Sequence, residues 1–293
     1  MELPYLCYDD CIRFCDFKEL VNMAMPNNLV LVRHGQSEAN IMVEASKKGD
    51  DSYFSDETMM IPDRSWRLSA LGVQQAQTAG RWIQENIDEF DRHIVSPFVR
   101  TCETAAHLGI KEAQWEENRV IRERNWGEID GISRKDFQER YPLNAIFKKK
   151  DPLYWSPPGG ESIANVAENR VRNILSTLHR ENSEQNVLMV THGEFIWASR
   201  MVLQRWSDEE FMQFDKDPDY KIHNCTVVHY SRINPETGEQ ANKLRWVRRG
   251  YPVQENGEWG MKLYPWEEFD RNYFTNEQLL TKAESKSRYF ENI

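Results

Sequence analysis

Long hydrophobic runs are missing from this 293-residue chain. No apolar stretch approaches the ~20 residues that a membrane-spanning helix requires, so no membrane partner is expected. Positive charge is also in short supply. Lys and Arg number 37 against 47 Asp and Glu, a formal net charge of −10. An acidic chain is a poor general nucleic-acid binder, because that affinity depends on clustered Lys and Arg. It does not exclude an anionic small-molecule substrate, since a small pocket can be basic on an acidic protein. Cysteine is sparse and unpaired in pattern: five residues, an odd number, with no CxxC. The N-terminal MELPYLCYDDCIRFCDF carries acids where a signal peptide needs an apolar core. Reduced thiols and a cytoplasmic location are therefore expected. Cys7, Cys11 and Cys15 recur every four residues, near one helix face, with no further ligand group at metal-site spacing beside them. No metal is expected there. Met23 and Met25 are alternative starts, and residues 1–27 read as a leader. Internal repeats and low-complexity tracts are absent.

What is present suits a large packed domain. Hydrophobic residues reach 40% and aromatics 12%, enough for a sizeable core and against wholesale disorder. NLVLVR (28–33) and NVLMVT (186–191) read as buried strands, with weaker strands at 93–95 and 120–121. Helical spacing runs through 69–86 with Ser69 as N-cap, 99–108, 161–182 and 194–204. Residues 47–67 and 148–160 read as loops. Strands alternating with helices, and continuous apolar strands, predict an α/β fold with a mainly parallel sheet covered by helices on both faces. After about Asp217 the texture changes. TVVHYS (226–231) and KLRWVRR (243–249) flank an Asn-Pro-Glu-Thr-Gly turn and predict a β-hairpin, and a helix is expected over 275–289. The expected organisation is a leader at 1–27, a core at 28–217 and an extension at 218–293 packed on that core. The hairpin either extends the sheet within one chain or pairs across a dimer, so monomer and homodimer both stand.

Two strands end alike, in Arg33-His34-Gly35 and Thr191-His192-Gly193. In a parallel sheet the loops at the carboxyl ends of the strands form the ligand crevice, so both histidines are expected on one edge. Glycine after each histidine lets another group come close to the backbone. A neutral imidazole is a good nucleophile near neutral pH, arginine forks match phosphate oxygens, and a carboxyl group can protonate a leaving oxygen. Cations beside His34 are expected to hold its pKa down. That combination points to phosphoryl chemistry.

LVRHGQSEAN resembles the N-terminal motif of the histidine phosphatase superfamily, also called phosphoglycerate mutase-like. SPFVRTCETA (96–105), RERNWGEIDG (122–131), PPGGES (157–162) and VTHGEF (190–195) resemble its further motifs in the family's order. The resemblance covers roughly residues 28–205. It implies that His34 is the nucleophile that becomes phosphohistidine, that Arg33, Arg100 and His192 bind the phosphoryl oxygens, and that Glu123 is the general acid and base. Ser37, Asn40 and Gly193 stand where the family often adds hydrogen bonds to phosphate or substrate. Glu117, Glu128 and Asp130 are rival acids, Glu128 foremost. Arg124 either touches substrate or pairs with an acid. Lys148 to Lys150 are either a solvated cluster or a guide for an anionic substrate. His93, His107, His179, His223 and His229 have no motif around them and are expected to be structural or exposed.

The implied activity is metal- and cofactor-independent hydrolysis of a small phosphorylated metabolite. Two alternatives remain. A phosphomutase needs a second phosphate site, yet the arginine pair that phosphoglycerate mutases place before the PPGGES-like turn is missing. Glu194 also stands where those mutases usually have asparagine. The other alternative is a non-catalytic phosphate-binding protein on the same fold.

Overall fold

In the computed structural model residues 24–288 are described, and Cys7, Cys11 and Cys15 lie outside them. β1 (Asn28–Arg33) is buried along almost its whole length, as a strand covered on both faces must be. α1 (Glu38–Lys47) begins at a reciprocal cap: the Ser37 hydroxyl accepts from the Asn40 amide, and the Asn40 carboxamide accepts from the Ser37 amide. The expected loop at 47–67 holds α2 (Asp56–Met59) and a 3₁₀ turn, Asp63–Ser65. Ser55 and Thr58 cap α2 in the same reciprocal way, over a stretch too short for periodicity to show. α3 (Ala70–Asn86) is capped by Ser69 as anticipated, and β2 (Arg92–Val95) and α4 (Val99–Leu108) follow.

Val120 and Ile121 do not form a strand. They lie in the 3₁₀ turn Arg119–Ile121, where the Asn118 side chain accepts from the Val120 amide; the strand is β3, at Trp115–Glu117. A side chain that bonds the local backbone competes with ladder pairing. Two helices, α5 (Arg134–Arg140) and α6 (Pro142–Lys150), were not anticipated. Lys148 to Lys150 therefore close α6 rather than open a loop, and lysines suit a helix C-terminus. The long helix expected from 161 consists of α7 (Ile163–Asn165), a π-helical stretch (Val166–Val171) and α8 (Arg172–Glu181). β4 (Asn186–Thr191), α9 (Gly193–Gln204) and α10 (Asp208–Phe214) come next. β5 (Val227–Ser231), β6 (Trp246–Glu255), β7 (Glu258–Leu263), β8 (Glu267–Glu268) and α11 (Asn276–Glu284) complete the described chain.

The strand order is β3-β2-β4-β1-β5-β6-β7, with β8 also on β6. The first four strands are parallel, whereas β5 runs antiparallel along β1 and the later strands continue antiparallel. The hairpin read at 226–249 is present as β5–β6, and it extends the sheet of its own chain. The β6–β7 hairpin is an addition. Its turn, Asn256-Gly257, has positive φ at both residues (50° and 86°), the geometry that favours this dipeptide in two-residue hairpins.

Alternate β1 residues feed two cores. Leu29 and Leu31 pack with Val166, Ile174, Phe195 and Ile196 on one face. Val30 and Val32 pack with Ala76, Ala79, Ile83 and Leu108 on the other. Helices thus cover both faces and leave the carboxyl ends of β1, β2 and β4 along one edge. Among the described residues, no helix is long and apolar enough to cross a membrane.

Candidate active site

His34 and His192 leave the ends of neighbouring parallel strands, and their ring centroids stand 5.3 Å apart. The His34 Nδ1–H donates to the Gly35 carbonyl (2.7 Å), so Nε2 carries the free lone pair. The backbone after His34 is pressed against α3. A Cβ on Gly35 would lie 2.4 Å from the Gly72 carbonyl oxygen, so only glycine fits. Gly193 is less constrained: a Cβ there would sit 3.3 Å from Arg33 Nε, a tight contact with a side chain rather than with backbone.

Burial holds the pKa of His34 well below its ordinary value, and Arg100 and Arg33 add to the effect. The cations expected to do this therefore act second to desolvation. His192 is depressed for the same reasons, burial first. Its Nε2 lies 2.8 Å from Ser96 Oγ, while Nδ1 is buried with no hydrogen-bond partner among the described residues. A buried imidazole nitrogen without a partner is costly unless something joins it.

Arg33 donates through Nη1 to the Ile222 carbonyl (2.7 Å), and its buried Nε is also without a partner. Arg100 is 3% exposed and held in a fork by Asp63, with Nη1 3.0 Å from Oδ1 and Nη2 3.2 Å from Oδ2. The motifs gave no hint of Asp63, which comes from the segment read as loop.

Glu123 places a carboxylate oxygen beside both histidines: one ligand atom from each of the three residues lies within 4.8 Å of the others. Burial, then the neighbouring Glu194, pushes the Glu123 carboxyl up to about 7. Its Oε1 accepts from the Arg124 amide at 2.9 Å. These three donors could also hold a metal ion, but two guanidinium groups beside them make the site an anion pocket. Of the rival acids, Glu128 is exposed and accepts from the Tyr141 hydroxyl (3.0 Å), and Glu117 is exposed on β3. Asp130 reaches the cavity wall without joining the histidine cluster.

Ser37 and Asn40 line the same cavity and form the cap of α1, so the positive end of that helix faces the site. Asn224 is a residue that sequence reasoning missed. Its Nδ2 donates to the His34 carbonyl (3.2 Å) and to Asn40 Oδ1 (2.9 Å). No motif surrounds it, and the contact spans 190 positions.

The cavity occupies about 790 Å³, far more than a phosphoryl group needs. Arg124 enters its wall but is committed elsewhere, donating to the carbonyls of Glu161 (2.5 Å) and Trp155 (2.9 Å) and pairing with Glu194 (3.4 Å). Lys148 is half-buried among three rings, with Nζ 4.9 Å from the Trp126 centroid, 5.2 Å from Trp155 and 5.6 Å from Phe137. It faces the cavity, not bulk solvent. The remaining histidines lie outside the cavity lining: His229 is buried against Asn28, and His223 stacks on Tyr251.

Paired strand-end histidines, arginines and one acid define a phosphoryl-transfer class of site. The sequence model of the Histidine phosphatase superfamily (branch 1) matches residues 29–241, and the chain belongs to this family. It is similar to a 2,3-bisphosphoglycerate-dependent phosphoglycerate mutase of Methylorubrum populi, 29% identical over 184 residues, or 61% of this chain and 80% of the relative. A protein of the same description from Parvibaculum lavamentivorans is 31% identical over 197 residues, covering 64% and 85%. Among solved structures, a mycobacterial glucosyl-3-phosphoglycerate phosphatase in complex with VO3 aligns with a TM-score of 0.54 at 21% identity, over 70% of this chain and 92% of that one. A putative alpha-ribazole-5'-P phosphatase from Escherichia coli aligns at 0.55 and 20%, over 74% and 97%. Likeness at such identities establishes the fold, a mixed sheet with helices on both sides.

Proposed function

We propose that this protein hydrolyses phosphate monoesters of small metabolites through a phosphohistidine on His34. The observation that carries the reading is a neutral His34 within reach of a carboxyl group raised to about 7. His34 Nε2 attacks phosphorus in line, and the bond to the leaving oxygen breaks as Glu123 gives that oxygen its proton. Arg33, Arg100 and His192 take the charge of the equatorial oxygens, assisted by the Gly193 amide and by Ser37 and Asn40 at the start of α1. Glu123, now a carboxylate, accepts a proton from the water that cleaves the phosphohistidine, releasing phosphate. No step calls on a metal or cofactor.

Trp126 and Lys148 would meet the part of the substrate beyond the phosphoryl group. The acidic exterior disfavours nucleic acid and anionic membranes as partners, and free thiols at Cys102 and Cys225 suit the cytoplasm. The mutase alternative draws support from the described function of the curated relatives. Against it stand the missing arginine pair before the PPGGES-like turn and Glu194, where those mutases usually have asparagine.

Quenched turnover with radiolabelled phosphomonoesters should trap acid-labile label on the wild-type chain and none on His34→Ala. Turnover retained by His34→Ala overturns the mechanism. Conversion of 3-phosphoglycerate primed by 2,3-bisphosphoglycerate, faster than phosphate release, would favour the mutase. Phosphate binding without turnover on a broad ester panel would favour the non-catalytic alternative.

A further inference from the structure

The sheet ends on one side at β7, six residues long, and on the other at β3, three residues long. The Tyr264 amide donates to the Arg249 carbonyl (2.8 Å), continuing the β6–β7 register. Counting back by twos, Lys262, Gly260 and Glu258 also turn their backbone groups toward β6. Trp259, Met261 and Leu263 turn theirs outward, and those amides have no hydrogen-bond partner among the described residues. An edge of this kind is a template for another strand.

We propose that β7 pairs with β7 of a second copy of this chain, antiparallel about a two-fold axis through Gly260. Two observations select the second copy as occupant and Gly260 as the axis. First, the charges are self-complementary. With Gly260 on the axis, Glu258 of each copy faces Lys262 of the other, and Trp259 faces Met261. Neither Glu258 nor Lys262 has an ion-pair partner within its own chain among the described residues; Lys262 Nζ lies only at the outer range of two rings, 6.0 Å from the Tyr251 centroid and 5.9 Å from that of Tyr264. Second, the glycine is not required by the monomer. Its φ is not positive, and a Cβ built there meets nothing within 4 Å. On the axis it forms a non-hydrogen-bonded pair, where opposed Cα atoms come within about 4.5 Å, and glycine in a strand suits close approach of another backbone. The flanking Trp259–Met261 pairs then use the outward amides in reciprocal bonds. The hairpin expected to pair either within the chain or across a dimer thus does the first through β5–β6, and the next strand does the second.

Sedimentation over a wide range of concentration tests this. The wild-type chain should dimerise. Lys262→Glu and Glu258→Lys each place like charges opposite one another at two symmetric positions, and each should weaken association at least about tenfold. An equimolar mixture of Lys262→Glu and Glu258→Lys chains should recover the dimer, because every 258–262 contact between unlike chains then joins opposite charges. A wild-type chain that stays monomeric throughout, a Lys262→Glu chain that associates as wild type does, or a mixture that fails to recover overturns the proposal.

Discussion

The parallel and antiparallel halves of the sheet meet at one pocket but contribute different things. β1 and β4 deliver the side chains proposed to react, His34 and His192, straight from their carboxyl ends. The segment entering β5 delivers carbonyl and amide groups that hold those side chains in place: Ile222 receives Arg33, Asn224 grips the His34 carbonyl, and the Cys225 amide donates to that same carbonyl at 3.2 Å. Chemistry on one side and support on the other implies that lesions in the two halves should differ in size and kind. His34→Ala removes the proposed nucleophile. Single-turnover and steady-state kinetics should show a loss of about 10⁴-fold or more, as for other covalent nucleophiles, with an unaltered thermal melt.

Glu123 is the next largest. Its carboxyl, at about 7, is protonated and able to donate below that pH, and loses the proton as pH rises through it. His34, held well below its usual range, is neutral and nucleophilic across the same interval. The value of kcat/KM for alkyl phosphates should therefore be level through mildly acidic pH and fall above about 7. Glu123→Gln should abolish that falling limb and lower the rate by about 10²- to 10⁴-fold, the usual worth of a general acid. The loss should shrink with p-nitrophenyl phosphate, whose leaving group needs no proton. A falling limb that survives the substitution would assign the titration elsewhere.

Asn224→Ala probes the supporting half. It deletes two hydrogen bonds, to the His34 carbonyl and to Asn40, without touching a reacting atom. At about 1 kcal/mol for each net bond, about 2 kcal/mol in all, kcat/KM should drop by about thirtyfold, and the pH profile should keep its shape because Glu123 is untouched. A loss as large as that of His34→Ala would erase the distinction between the halves.

The same division decides what could be read from the sequence. Strand-end motifs are local. Arg-His-Gly, the arginine at 100, the acid at 123 and the second histidine each sit inside their own few residues, and the structure brings these groups together at one sheet edge. Periodicity exposed α3 and α4 because an amphipathic stripe over ten or more residues is a strong signal. It failed for α2 and the 3₁₀ turn carrying Asp63, which are too short to show a period, and for Val120 and Ile121, where a neighbouring asparagine bonded the backbone first. Asn224 and Ile222 act across about 190 positions through main-chain geometry, which no local pattern records. The β6–β7 hairpin was different: its Asn256-Gly257 signal was in plain view but flanked by a polar, tryptophan-bearing strand that did not alternate cleanly.

Glu128 offers the finest test, because it separates proximity in sequence from proximity in space. It stands five residues after Glu123 and was the foremost rival for the acid. In the fold, however, it is exposed at the protein surface with its carboxylate on the Tyr141 hydroxyl, outside the cavity lining. Glu128→Gln keeps an acceptor for that hydroxyl and removes one solvent-screened charge. Steady-state rates should stay within about twofold of wild type, as expected for a surface substitution that leaves the packing intact, and the limb near pH 7 should not move. A Glu128→Gln chain that loses the limb while Glu123→Gln retains it would transfer the acid to Glu128 and require the 122–131 segment to rearrange when substrate binds.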